Sequence, residues 1–161
     1  PAGRTITLDR PGIKLDLGAV AKGYAGDEAL RVLREAGYPV AMFEAGGDTV
    51  FGEPPPGAAG WPVEFPWTNQ PLRHLANCAL SVSGDTVQYV EIGGRRYSHV
   101  VDPSTGCGLT NRLLCVVQAP RGLISDPLST AGTLMPEAAF RALLARHYPE
   151  VRAWVEPAPP E

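Results

Sequence analysis

Two adjacent glycines, Gly93-Gly94, lie between two strand-forming stretches, residues 86–92 and 95–101. A two-residue glycine turn between such stretches is a strong short-range signal for a tight β-hairpin. Pairing about this turn puts Ile92 opposite Arg95. The sequence therefore predicts an antiparallel strand pair in this part of the chain.

The same register places Gln88 opposite His99 on the two strands of the hairpin. Because side chains alternate along a strand, one face of the second strand is predictable. It carries Arg95, Tyr97, His99 and Val101. Residues 102–106 read Asp-Pro-Ser-Thr-Gly, which predicts a turn at the end of that strand.

The rest of the chain mixes strand and helix patterns. Further strands are predicted at residues 4–8, 13–17, 40–43, 61–67, 113–119 and 152–155. Helices are predicted at residues 19–36, from about Asp126, and at 137–147. Without a regular strand-helix-strand repeat, this order predicts an α+β fold, with a mixed, mostly antiparallel sheet and packed helices.

The first predicted helix ends at Gly37 and shows apolar residues at helical spacing. This face consists of Ala25, Ala29, Leu33 and Ala36. Residues 53–62 contain three consecutive prolines and a glycine, so they are predicted to form a loop.

The length of 161 residues predicts one domain, residues 1–155, followed by a proline-rich tail, residues 156–161. The 14 basic and 17 acidic residues give a net charge of −3, which argues against a nucleic-acid-binding protein. No apolar run approaches the roughly 20 residues of a membrane-spanning helix. Since the chain opens on Pro1 rather than Met, we expect it to be a piece of a longer protein. Whether an export signal precedes it is left open by the sequence.

Three cysteines, Cys78, Cys107 and Cys115, occur without the paired spacing of a zinc site. Their odd number argues against a disulfide framework. We expect three buried or half-buried free thiols.

Residues 16–24 read Asp-Leu-Gly-Ala-Val-Ala-Lys-Gly-Tyr, a strand end followed by the start of a helix. Free backbone N–H groups and a positive helix dipole at such a junction suit an anion. Lys22 adds positive charge close by. The alternative is an ordinary strand-to-helix turn with Lys22 in solvent.

Two short glycine motifs, Gly46-Gly47-Asp48 and Ser83-Gly84-Asp85, interrupt strand patterns. Glycines permit close approach of the backbone to a ligand, and Asp48 can accept hydrogen bonds from ligand hydroxyls. The alternative for each motif is a plain turn or bulge.

His99 is a candidate for proton transfer, because histidine titrates near neutral pH. Asp102 lies three residues later, so its side chain leaves the opposite face unless the turn at Pro103 brings it back towards a ligand. The alternative for His99 is a structural residue on a strand.

Asp126 and Thr130 are spaced i and i+4, so on a helix their oxygens can meet one hard cation such as Mg²⁺. The alternative is structural: Asp126-Pro127 is also the pattern of an N-cap followed by the first helical residue.

In this order and spacing the segments resemble the ApbE family, the FAD:protein FMN transferases. The segments that carry the resemblance are residues 16–24 with Asp27, 46–48, 83–85, 97–106 and 125–131. The resemblance covers residues 5 to 154 and corresponds to about the C-terminal half of a family member. An N-terminal half that contributes flavin and adenine contacts is not part of this sequence.

The resemblance implies an enzyme with FAD as substrate and Mg²⁺ as cofactor. Such enzymes transfer FMN from FAD to a Thr or Ser hydroxyl of an acceptor flavoprotein in a redox pump or electron-transfer system, releasing AMP. By the same resemblance, Asp126 and Thr130 match metal-binding side chains, and Ala19 matches a backbone-carbonyl ligand. His99 matches the base that activates the acceptor hydroxyl. The segments lining the nucleotide site contribute Lys22, Gly47, Asp48, Ser83 and Asp85.

Two alternatives stand beside transfer: a truncated, non-catalytic relative that binds a flavin nucleotide or a protein partner, and an FAD hydrolase that yields FMN and AMP. The resemblance also implies a periplasmic or otherwise exported location. Any contact with a membrane is expected only through an upstream lipid anchor.

Overall fold

The computed structural model describes residue 3 and residues 5–64, 72–86 and 88–158. The strands in these ranges are β1 (Met42–Ala45), β2 (Asp48–Phe51), β3 (Trp61–Val63), β4 (Arg73–Leu75), β5 (Cys78–Ser83), β6 (Tyr89–Ile92), β7 (Arg95–Ser98), β8 (Leu113–Ala119) and β9 (Arg152–Pro157). The helices are α1 (Ala21–Glu35), α2 (Gly122–Leu134) and α3 (Glu137–His147).

Five strands form the central sheet in the order β1-β2-β5-β8-β9, and each neighbouring pair is antiparallel. Two two-stranded sheets, β3-β4 and β6-β7, accompany it. Helices α1 and α2 pack against each other and against the central strands. The α+β prediction with a mostly antiparallel sheet is confirmed.

Strand β8 is buried on both faces because other elements pack against both sides of the sheet. Leu114 and Val116 pack in one apolar cluster with residues of β2, β4 and β5. Cys115 and Val117 face the other way and pack against α2 and α3, where Phe140 is fully buried. The helices therefore cover one face of the sheet, and the β3-β4 pair packs on the other.

The buried side of α1 is formed by Gly23, Gly26 and Leu30, not by the apolar face expected from the sequence. Ala25 is exposed, and so is Leu33. The reason is the closeness of the sheet: a Cβ atom on Gly26 would lie 2.6 Å from a methyl carbon of Val50. The side that faces the sheet is therefore marked by small residues.

The strands predicted at residues 4–8 and 13–17 are not formed by the described residues of those segments, and Arg4 lies outside the described ranges. The apolar side chains there are exposed, Ile6 to 75% and Leu15 to 57%. A strand needs a neighbour to pair its backbone groups, and these residues pair with no strand in the described part of the chain.

The predicted hairpin is confirmed in its register, with Ile92 opposite Arg95. Both turn glycines have positive φ, 59° for Gly93 and 72° for Gly94, as the favoured two-residue hairpin turns require. The strands are shorter than expected, ending at Ser98, and residue 87 lies outside the described ranges.

The remaining element predictions hold to different degrees. The strand at 113–119 and the helix at 137–147 are confirmed at both ends. Helix α2 begins four residues before Asp126, and β9 ends two residues after the predicted 155. Of the edge strand predicted at 61–67, the structure forms β3, while residues 65–67 lie outside the described ranges, as do residues 159–161 of the tail.

The three thiols are free, but only two of them are covered. Cys115 is buried and Cys78 is half-buried, whereas Cys107 is exposed in the turn after β7, so that part of the expectation is wrong.

Across the residues that the structure describes, no helix combines the length and apolar character needed to cross a membrane.

Candidate functional site

The first turn of α1 crosses α2 at two glycines, Gly23 and Gly122. A Cβ atom on Gly23 would lie 2.1 Å from the carbonyl oxygen of Gly122. Only a residue without a side chain permits such an approach, so the helices meet backbone to backbone. The crossing brings the start of α1 against the first turns of α2.

Asp126 lies at this crossing and is only 2% exposed. Its Oδ2 accepts a hydrogen bond of 3.0 Å from the backbone N–H of Gly23. Burial raises the pKa of Asp126 above its ordinary value, against the opposing effect of the Gly23 N–H. The charge of Asp48 raises this pKa further, and the Lys22 ammonium lowers it. The carboxylate thus faces the N-terminus of α1 as a buried, incompletely compensated negative charge.

The N-terminus of α2 is capped by a side chain from α1. Asp27 accepts hydrogen bonds from the backbone N–H groups of Gly122 at 2.7 Å and Leu123 at 3.1 Å. Its Oδ2 also lies 3.3 Å from Nε of Arg121. The capping alternative for Asp126-Pro127 is therefore wrong, because both residues lie inside the helix.

Lys22 connects α1 to the turn between β1 and β2. Its Nζ lies 2.5 Å from Oδ2 of Asp48 and donates a hydrogen bond of 3.2 Å to the carbonyl of Gly46. Lys22 is therefore paired, not a lysine in free solvent. The motif Gly46-Gly47-Asp48 does form a turn, with φ of 52° and 92° at its glycines. The side chain of Asp48 is only 4% exposed.

Thr130 lies one helical turn after Asp126 on α2, so the two side chains project from the same side of the helix. Its Oγ1 is 3.2 Å from Oγ of Ser83, at the end of β5. The Oγ of Ser83 is also 2.8 Å from Oγ of Ser129. Strand β5 and helix α2 therefore bring Ser83 and Thr130 into direct contact.

Asp85 is also buried, at 3% exposure. Its Oδ2 lies 3.0 Å from Nε of Arg112, in the segment before β8. This ion pair gives Asp85 a structural partner, and its place in a nucleotide site stays a prediction.

His99 is exposed at the end of the β6-β7 hairpin. Its backbone N–H and its Nδ1 each lie 3.2 Å from the carbonyl oxygen of Gln88, which confirms the predicted opposition of these residues. In the neutral tautomer that donates from Nδ1 to this carbonyl, Nε2 keeps its lone pair. That nitrogen is then available to accept a proton.

The side chain of Asp102 is engaged within its own turn. Its Oδ1 accepts hydrogen bonds from the backbone N–H of Ser104 at 2.8 Å and from its hydroxyl at 2.7 Å. These bonds lower the pKa of Asp102. Asp102 therefore stabilises the turn that follows the hairpin.

The hairpin is tied to α2 by the segment that follows it. The backbone N–H of Ser98 donates to the carbonyl of Leu109 at 2.8 Å. The side chain of Asn111 donates to the carbonyl of Thr133, near the end of α2, also at 2.8 Å. The element that carries His99 is thus attached to the helix that carries the buried carboxylate.

Ala19 directly precedes Val20, the N-cap residue of α1, four positions before Gly23. Its carbonyl therefore lies in the turn that leads into the crossing. A cation ligand at Ala19 stays a prediction from the family resemblance.

The chemistry of the donor set fits a hard divalent cation. Carboxylate, hydroxyl and carbonyl oxygens are the ligands that Mg²⁺ prefers. Asp48 Oδ1 is buried and accepts no hydrogen bond in the described structure, and Asp126 is buried nearby with a raised pKa. A cation would compensate this excess of negative charge. Within the described ranges, no group of three or more His, Cys, Asp or Glu side chains is arranged to hold a metal ion, so a site here depends on hydroxyl, carbonyl and ligand oxygens.

Sequence reasoning missed the residues that hold the site together. Asp27 was noted only as part of a matching segment, and its partner Gly122 is 95 residues away. Local pattern has no means of pairing such residues. The buried serines Ser81, Ser125 and Ser129 likewise gave no local signal of their pairing, since isolated serines are ordinary in a strand or a helix.

The ApbE family model matches residues 2–155. A curated relative from Rhodobacter capsulatus, named FAD:protein FMN transferase, is 36% identical over 135 residues, covering 80% of this chain and 25% of the relative. A relative of the same name from Vibrio cholerae serotype O1 is 30% identical over 142 residues, covering 84% of this chain and 42% of the relative. The crystal structure of the ApbE protein from Thermotoga maritima superposes with a TM-score of 0.76 at 29% identity, covering 92% of this chain and 52% of that one. This chain thus spans about half or less of the length of the proteins it matches.

Proposed function

The chain belongs to the ApbE family, and from that membership we propose that it is the cation-binding and proton-accepting part of an FAD:protein FMN transferase. The observation that carries the proposal is the position of Asp126. It is a buried carboxylate at the N-terminus of α1, one helical turn from Thr130 and close enough to Asp48 for their charges to interact.

In the proposed reaction, a Thr or Ser hydroxyl of an acceptor flavoprotein attacks the phosphorus of the FMN half of FAD. The new phosphoester bond forms as the bond to the AMP oxygen breaks, and AMP leaves. The hydroxyl proton passes to Nε2 of His99, which the Nδ1 contact with Gln88 leaves free to accept it.

Each of the other predicted residues has a task in this proposal. Asp126, Thr130 and the Ala19 carbonyl would hold Mg²⁺, which neutralises charge on the phosphoryl oxygens when bound. Lys22 and Asp48 place the Gly46-Gly47 turn against the start of α1, where the nucleotide would lie. Ser83 and Asp85, at and just after the end of β5, would also line the place of the nucleotide. The domain boundaries, the redox-pump acceptor, an exported location and a lipid anchor stay proposals from the family resemblance.

The experiment is a titration of the chain with FAD, with and without Mg²⁺, by flavin fluorescence and calorimetry. We expect binding that needs Mg²⁺ and is lost in Asp126→Asn. Glu137→Gln, which removes an exposed carboxylate on α3, is the matched control and should bind as the unmodified chain does. No binding at high FAD concentration would contradict the proposal for this chain and favour a non-catalytic relative that binds a protein partner.

Transfer and hydrolysis are then separated by their products. Transfer leaves FMN covalently attached to an acceptor protein together with one AMP. Hydrolysis gives free FMN and AMP without an acceptor, and that outcome would favour the hydrolase alternative.

A further inference from the structure

Two pairs of serines face each other across the buried interface between β5 and α2. The hydroxyls of Ser81 and Ser125 are 2.8 Å apart, and those of Ser83 and Ser129 are also 2.8 Å apart. Ser125 and Ser129 are fully buried, and Ser81 is 1% exposed. A hydroxyl pair in such an interface persists only when both members find partners, because an unpaired buried hydroxyl is costly.

The spacing of the two pairs follows from helix and strand geometry. Four residues along a helix rise about 6.0 Å, and two residues along a strand rise about 6.7 Å. The two repeats almost match, so each serine of β5 meets one serine of α2. A shift of one residue along β5 would present Val82 in place of a serine. The pairs therefore fix the register of α2 on the sheet.

The contacts also fix the direction of each hydroxyl proton. Ser129 donates to the carbonyl of Asp126 at 2.8 Å, and a carbonyl can only accept. A serine hydroxyl has one proton, so with the Ser129 proton on that carbonyl Ser83 is the donor in the contact between the two serines. The proton of Ser83 is then engaged with Ser129. In the 3.2 Å contact between Ser83 and Thr130 the threonine is therefore the donor.

We infer that Ser83 is a positioning residue that turns the hydroxyl proton of Thr130 inward and leaves the Thr130 oxygen as an electron-pair donor to a divalent cation. The inference rests on the proposed function, since it concerns the cation proposed for that site. The inference distinguishes two roles for Thr130, as a cation ligand and as a hydrogen-bond donor to phosphate. A threonine ordered in this way can ligate a cation, but it has no proton left to donate to a phosphate oxygen.

The test measures cation binding directly, with Mn²⁺ as the probe in place of Mg²⁺. The dissociation constant of Mn²⁺ is measured by electron paramagnetic resonance in the presence of FAD. We expect Ser83→Ala to weaken Mn²⁺ binding about 10-fold, the lower end of the effect of residues that orient metal ligands. Ser83→Thr, which keeps a hydroxyl on a strand residue, should restore it.

Ser81→Ala is the matched control, because it removes the other serine pair of the same interface without touching Thr130. It should lower the unfolding temperature about as much as Ser83→Ala does and leave the Mn²⁺ affinity unchanged. Ser129→Ala is the second test. Without Ser129 to receive its proton, Ser83 becomes free to donate to Thr130, so Mn²⁺ binding should weaken as in Ser83→Ala.

Two failures are distinguishable. Equal Mn²⁺ affinities in the unmodified chain, Ser83→Ala and Ser129→Ala would overturn the inference and leave the proposed cation site intact. Absence of Mn²⁺ binding by the unmodified chain would overturn the cation site itself, and with it this inference.

Discussion

Asp27, in the second turn of α1, accepts the backbone N–H of Gly122, the first residue of α2, over 2.7 Å. One carboxylate thus satisfies the N-terminus of a helix that is 95 residues away in sequence. The position of α2, and with it the position of Asp126, depends on this contact between helices.

Replacing Asp27 by alanine should destabilise the chain by about 1–2 kcal/mol, because two N–H groups at the start of α2 lose their acceptor. Chemical denaturation would measure the free energy of unfolding. Glu28→Ala is the control, since it removes a neighbouring carboxylate whose partner Arg31 is largely exposed. Equal effects of the two changes would contradict the capping role.

Gly23→Ala should destabilise the chain by about 1–3 kcal/mol, the usual cost of adding a methyl group to a packed interface. The added Cβ would lie 2.1 Å from the Gly122 carbonyl, so the helices must separate. Ala25→Ser adds one heavy atom to the exposed side of the same helix and should cost much less. Thermal unfolding followed by circular dichroism distinguishes the two, and similar losses would refute the close crossing.

Asp126→Asn should raise the unfolding temperature of the cation-free chain at pH 7. Burial raises the pKa of Asp126 in the folded state, so the protonated form favours folding. This contribution is complete below the unfolded-state pKa of about 3.9 and is lost as pH rises through the folded-state value. Asparagine stays neutral and still accepts the Gly23 N–H, so the variant should show a smaller loss of stability between pH 4 and pH 7.

The check on that prediction is thermal unfolding in a chelator across this pH range. Asp102→Asn should change stability in the opposite direction at neutral pH, because hydrogen bonds with Ser104 lower the pKa of Asp102. If Asp126→Asn were less stable than the unmodified chain at pH 7, the carboxylate would be favourably compensated in the fold.

His99→Ala should reduce transfer of FMN by about 10²–10⁴-fold, the usual contribution of a general base. Since His99 lies on the hairpin and not on α2, binding of FAD and Mg²⁺ should stay within a factor of about two, well below the roughly tenfold effect of losing a residue that orients a metal ligand. Covalent flavin on an acceptor protein, followed by fluorescence after denaturing electrophoresis, measures the reaction. Full transfer by the variant would remove His99 from the role of base.

The thiols should react in a fixed order with a disulfide reagent at pH 8. Cys107 is exposed and should react at once. Burial raises the pKa of Cys115 to about 12, so it should react only on unfolding. Burial also raises the pKa of the half-buried Cys78, which should react slowly. Cys107→Ser should abolish the fast phase, and two fast thiols in the unmodified chain would contradict the packing of the sheet.

Elements with a complete local signal were predictable from the sequence. The hairpin about Gly93-Gly94 carries its own turn, and its register is confirmed by the pairing of Ile92 with Arg95. Strand β8 opens with five consecutive apolar residues, 113–117, and α3 follows a proline that precedes its first turn. In each case one short stretch of chain contains all that the element needs.

Features that depend on a distant partner were not predictable. The segment at 13–17 has a strand pattern but lacks a neighbour among the described residues, so no strand forms. The start of α2 was misplaced because its cap, Asp27, is supplied by another helix. The buried side of α1 was misassigned because close approach to the sheet selects glycines there, not larger apolar residues.

The contacts at the crossing of α1 and α2 also determine when a site can exist during synthesis. Gly23 and Asp126 are 103 residues apart, so the Gly23 N–H has no carboxylate partner until residue 126 has been synthesised. Long-range contacts of this kind form late, after the cost of closing a large loop has been met. A nascent chain that ends before α2 holds the glycine turns and Lys22 but lacks Asp126 and Thr130. The candidate site is therefore complete only after α2 has been synthesised and packed against α1, and termination of translation before α2 would leave it without Asp126 and Thr130.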